Sequence, residues 1–204
     1  MRYAFMDVLQ LNSFVSILLS GGIFIFSTDL TRFVLGERWL PIIPALQILC
    51  FFGATRAIGA SMGPILLALG KPKVQTMLSL LQLIMMALII FPLGREWGLI
   101  GVAYAVLFPN IFALLSISFV TMKYLRVSYA TLLKQVYFPV LITVSACLVV
   151  ISLRTYLWNT DGLLGVSVFV ALFLISYVFF FLLFNRLFDY RLEDTLLKRI
   201  VGAI

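Results

Sequence analysis

The chain has 204 residues, 63% of them hydrophobic and 11% charged, with a formal net charge of +7 and a mean hydropathy of +1.15. So little polar surface cannot cover a water-soluble domain of this size, and the composition calls for a bilayer. The sequence contains no His, which excludes imidazole catalysis and His-ligated metal sites.

Six apolar runs are long enough to cross a ~30 Å hydrocarbon core, which takes about 17 to 25 helical residues each. They lie at 8–28, 42–69, 74–93, 98–122, 136–153 and 162–185. The first follows a short basic start, as a signal peptide would. Its small-x-small triplet, Ser20-Gly21-Gly22, sits inside the apolar run, so the segment reads as a span rather than a cleaved leader. Asn12 lies near its start. The second span combines Gly53, Ala57, Gly59, Ala60, Ser61, Gly63 and Pro64 with one charge, Arg56. Gly59 and Gly63 form a small-xxx-small pair that admits a neighbouring backbone. Small residues, a proline and a central charge together fit a helix that lines a cavity and bends.

Gln47 lies nearer the outer end of the same span, Gln75, Ser79 and Gln82 share one face of the third, and Asn110 follows Pro109 in the fourth. Each of these, like Asn12, reads first as an interhelical hydrogen bond worth roughly 0.6 kcal/mol; a place on a substrate path is the second reading. Cys50 and Cys147 read as small buried hydrophobes. In the tail, 186–204, Phe188, Leu192, Leu196 and Ile200 recur at helical spacing, which predicts an amphipathic helix in the cytoplasmic interface.

Charge sets the orientation. Ten basic residues (Arg2, Lys71, Lys73, Lys123, Arg126, Lys134, Arg186, Arg191, Lys198, Arg199) fall on the side of the termini and the even-numbered loops, against four (Arg32, Arg38, Arg95, Arg154) on the other. Both termini are therefore expected in the cytoplasm. Because these residues border the bilayer in short loops and a tail, anionic membrane lipids are their expected partner, and nucleic acid is not.

Arg56 keeps its charge at any accessible pH, and a helix-centre Arg costs about 3 kcal/mol on insertion scales. The acids nearest in sequence do not help: Asp7 and Asp29 lie at the ends of the first span, and Glu37, Glu96 and Asp161 fall in outer loops. An anionic ligand, a water-filled cavity or an acid on another polypeptide can meet the charge. The structural alternative is a bond to a backbone carbonyl, such as that of Ala60 freed by Pro64, or to a neighbouring helix. No span holds two close carboxylates and no Ser or Thr has an activating base. Gly70-Lys71-Pro72-Lys73 is a basic turn without phosphate-loop spacing. No catalytic residue, metal or cofactor is expected, and the chain does not read as an enzyme.

From Gly36 to Leu107 the sequence becomes more specific. A G-[ED]-x-W loop (Gly36, Glu37, Trp39) precedes a helix that ends A-L-G-[KR]-P (Ala68 to Pro72), and a later helix begins G-x-x-G-x-A-x-A (Gly98, Gly101, Ala103, Ala105). In order and spacing this resembles the C-terminal half of bacterial polysaccharide transporters of the multidrug/oligosaccharidyl-lipid/polysaccharide flippase superfamily. The resemblance implies an all-α integral membrane fold, with six transmembrane helices at 1–185 forming one lobe of a two-lobe transporter. It implies a second six-helix lobe as partner and a place in the bacterial inner membrane. It also implies transport of a lipid-linked oligosaccharide, such as an undecaprenyl-diphosphate-linked polysaccharide precursor, by alternating access. On that reading Arg56 contacts the diphosphate or another anionic group, while Asn110 and Gln82 meet sugar hydroxyls. A small-molecule or drug antiporter of the same superfamily stays open, as do a non-transporting fragment and a membrane-embedded glycolipid enzyme.

Overall fold

The structure, a computed structural model, describes residues 2–125, 129–156 and 163–188. Every element among them is helical. Helix α1 spans Arg2–Ile25 and is followed by a short α2, Ser27–Leu30. A five-residue π turn, Thr31–Leu35, and a 3-10 segment, Glu37–Ile42, lead into α3, Ile43–Ala60. Then come α4, Gly63–Ala68; α5, Pro72–Leu125; α6, Tyr129–Tyr156; and α7, Leu163–Phe188. Five of the helical segments among the described residues are long and apolar enough to cross a membrane, one of them 54 residues long. The chain is a multi-pass membrane protein with an all-α fold.

The 54-residue segment is not one rod. Gly98 leaves helical conformation at φ 58°, ψ −134°, a region in which a side chain is strained and glycine is not. The arms 72–97 and 99–125 fold back on each other there. Gln82 and Asn110, 28 residues apart, hydrogen-bond across the two arms, whereas a continuous helix would hold them about 42 Å apart. The turn is tight enough that a Cβ on Gly101 would collide with the carbonyl of Leu93. The Trp97 and Tyr104 rings pack edge-to-face across it at 6.3 Å. Where the sequence predicts two spans joined by a loop at 94–97, the helix continues through those residues and one glycine makes the reversal.

The second predicted span, 42–69, is interrupted. Pro64 carries no N–H to donate to Ala60, and α3 ends in tightened bonds from Ser61 N–H to Ile58 (3.3 Å) and from Met62 N–H to Gly59 (3.0 Å). After α4 the chain stops cleanly. Gly70 sits at φ 68°, its N–H bonds Leu67, and the Lys71 N–H reaches back to Leu66 at 2.8 Å. This is a Schellman ending, after which Pro72 opens the next helix.

Two compact units divide the chain at Pro139, inside α6. In Met1–Pro139, α3 packs against both α1 and α5. The core there joins Phe5, Leu9 and Ile17 of α1 to Ile58, Met62 and Met122, with Leu132 and Val136 of α6 against them. In Val140–Ile204, buried stripes recur every four residues, Ile142, Ala146 and Val150 on α6 and Phe169, Phe173 and Tyr177 on α7. That is the spacing of one helix face. Large apolar side chains such as Met77, Leu88 and Phe91 point outward, as a bilayer permits and water does not. Helix α7 continues to Phe188, three residues beyond the predicted end of the sixth span. The rest of the predicted amphipathic tail, 189–204, lies outside the described residues.

Candidate functional site

Residues from α3, α4 and both arms of α5 close around a cavity of about 260 Å³. Arg56, Gln82 and Asn110, the three residues singled out in the sequence, all line it, as do Thr55, Gln75 and Ser79. They meet because α3 packs against both arms of α5. Gln75, Ser79 and Gln82 lie at i, i+4 and i+7 on the first arm, one face of an α-helix.

Asn110 is the fixed point. It is 3% exposed, and its Nδ2 donates to Thr55 Oγ1 at 2.7 Å. Thr55 in turn donates to the Phe51 carbonyl at 2.8 Å, with that of Phe52 at 3.0 Å. The Asn110 carbonyl oxygen accepts the longer bond from Gln82 Nε2, 3.5 Å. One amide thus joins α3 to both arms of α5, and a buried amide with both ends used is held in one orientation. Thr55 is the residue that sequence reasoning missed. Its only signal is its place beside Arg56, since a helical Thr ordinarily bonds its own backbone.

Arg56 is exposed along this wall. Among the described residues its guanidinium makes no hydrogen bond or ion pair, including to the Ala60 carbonyl that the sequence offered as its structural partner. Gln75 lies deeper. Its Oε1 is buried without a hydrogen-bond partner, and the amide packs so closely on Gly63 that a Cβ there would come within 2.7 Å of Nε2. The cavity presents one free cation, a braced Asn–Gln pair and an orphaned amide oxygen. It holds no acid, and no group of three metal-ligating side chains occurs among the described residues.

The other two polar residues of the sequence reading face elsewhere. Gln47 Nε2 donates to Ser27 Oγ at 3.2 Å, tying α3 to α2. Asn12 of α1 donates to the Ala57 carbonyl at 2.6 Å and to Ser61 Oγ at 2.7 Å. It also borders a second cavity of about 490 Å³ whose walls are otherwise mainly apolar, among them Phe5, Val8, Ile65 and Leu69.

No protein-family model matches the chain. Over 104 residues, half of its length, it is 29% identical to an uncharacterized membrane protein in the cps region of Klebsiella pneumoniae. Over 121 residues, 59% of its length, it is 28% identical to the lipopolysaccharide biosynthesis protein WzxC of Escherichia coli K12. These matches cover 21% and 24% of the two relatives. Among solved structures, the lipid II flippase MurJ in an inward closed conformation superposes with a TM-score of 0.75 at 18% identity, over 90% of this chain and 39% of that one. The fold is therefore that of part of a flippase-type membrane protein, and the chain spans about a fifth to a quarter of the length of the curated relatives it matches. The resemblance read from the sequence holds, with similarity to a cps-region membrane protein and a lipopolysaccharide biosynthesis protein and the fold of part of a lipid flippase.

Proposed function

We propose that the chain is one lobe of a flippase that moves a lipid-linked oligosaccharide across the bacterial inner membrane by alternating access. The observation that carries this reading is the polar cavity in which Arg56, Gln82 and Asn110 converge from three helical arms. It occurs in a chain similar to a lipopolysaccharide biosynthesis protein and folded like part of a lipid II flippase. The reversal at Gly98 supports six crossings, with the arms of α5 as the third and fourth. The ten-to-four basic bias supports cytoplasmic termini.

In this reading Arg56 takes the anionic group of the cargo and neutralises its charge away from bulk water. Gln82 and Asn110 offer amide groups to hydroxyls of the sugar. A second six-helix lobe closes the opposite side of the cavity, and rocking of the two lobes exchanges access. No bond is made or broken in this process, so the cavity needs no acid–base pair.

The test uses Arg56→Ala and Arg56→Lys in the complete transporter, with surface polysaccharide read at matched protein level. A charge-assisted contact is worth about 1.5–3 kcal/mol, so Arg56→Ala should reduce export about ten- to a hundredfold. Arg56→Lys keeps the charge but not the planar fork and should fall between the two. Wild-type export in both variants contradicts the assignment. Transport of a small cationic compound with no change in glycolipid export points instead to the antiporter reading.

A further inference from the structure

The break between α3 and α4 separates the two cavities. Ala60 and Pro64 border both of them, so the polar space beside Arg56 and the mainly apolar space beside Phe5 share this stretch as a wall. What holds the wall is unequal on its two sides.

On the α1 side it is secured. Because the end of α3 tightens, the Ser61 N–H is drawn to Ile58, and the Ala57 carbonyl loses its regular i+4 donor. Asn12 supplies that donor from another helix, and its second N–H takes Ser61 Oγ. Ser16 Oγ in turn donates to the Asn12 carbonyl at 2.5 Å and lies 3.3 Å from its Oδ1. On the α5 side the wall is unsettled. The Gln75 amide is pressed against Gly63 with its oxygen buried and unbonded, an arrangement that costs free energy for as long as it lasts.

We propose that Ser61–Pro64 is a hinge latched by Asn12 and loaded by Gln75, and that its release swings α4 and joins the polar and apolar cavities. Asn12 is a positioning residue here. It reaches Arg56 only through the backbone of Ala57. A joined cavity suits a molecule with a charged head and an apolar chain, yet the hinge stands or falls independently of whether Arg56 contacts an anion.

The two residues make opposite predictions, which separates a latch from a general packing role. Spin labels at Leu11→Cys on α1 and Leu67→Cys on α4, both exposed positions, report the separation of these helices. The labels are placed in full-length protein in lipid nanodiscs, with Cys50 and Cys147 replaced by alanine. Asn12→Ala should raise the long-distance population on the order of fivefold, the effect of losing two membrane hydrogen bonds. Ser61→Ala, which removes one acceptor, should give a smaller rise. Gln75→Met, similar in length but without the orphaned oxygen, should lower that population below wild type. A single unshifted distance in both Asn12→Ala and Ser61→Ala overturns the hinge, as does a shift of Asn12→Ala and Gln75→Met in the same direction. Arg56→Ala should leave the distance distribution as in wild type.

Discussion

At the scale of single residues, the cavity depends on how few polar groups the chain places at membrane depth. Asn110 was legible as a polar residue after Pro109, but its partner Thr55 was not. The pairing arises from the approach of α3 to the second arm of α5, which no local spacing records. The contact has a measurable coupling. A double-mutant cycle of Thr55→Val and Asn110→Ala, followed by reversible unfolding in mixed micelles, should give about 0.6 kcal/mol and no more than about 1.7 kcal/mol. Additive losses would mean that the 2.7 Å bond contributes nothing. The charge at Arg56 was legible as an anomaly. The structure adds that the side chain is exposed along a cavity wall and that neither structural partner offered by the sequence meets it among the described residues.

At the scale of elements, the apolar runs were readable because length and hydropathy decide whether a helix can cross a bilayer. What joins them was less so. Glu96 and Trp97 look like loop residues by composition and are helical, because Gly98 alone reverses the chain. Gly98→Ala should therefore cost about 1–3 kcal/mol, seen as a lower unfolding midpoint and reduced membrane yield. An unchanged midpoint would show that the turn tolerates a Cβ at φ 58°. Gly70 closes α4 with φ 68°, and there a substitution by alanine should cost about 1–2 kcal/mol. The end of α3 could be guessed from Pro64. The use of Asn12 on α1 to complete it could not, since the freed acceptor is the Ala57 carbonyl and lies 45 residues from its donor.

At the scale of the whole molecule, the chain matches about a fifth to a quarter of its curated relatives and 39% of the flippase it superposes on. The similarity in fold extends over 90% of the chain, much further than the sequence identity of 18% would suggest to the eye. Bilayer helices preserve length, breaks and small-residue contacts while lipid-facing side chains drift among apolar types. That is why glycines and turns carried the resemblance. The proposed six crossings and the ten-to-four basic bias together predict sidedness. In intact cells a membrane-impermeant thiol reagent should label Arg95→Cys and leave Lys71→Cys unlabelled until the membrane is opened. Equal labelling of both from outside would contradict the six-crossing topology.

If the chain is one lobe of a flippase for a lipid-linked oligosaccharide, as proposed, the complete transporter must carry that molecule across a bilayer unaided by other proteins. The measurement is the fraction of lipid-linked oligosaccharide accessible to an impermeant glycosidase on the far side of proteoliposomes containing the purified complete transporter. The fraction should rise only when the protein is present, and Arg56→Ala should lower that rise at least about tenfold. A fraction no greater than in protein-free liposomes, with the reconstituted protein folded and correctly inserted, would contradict the proposal.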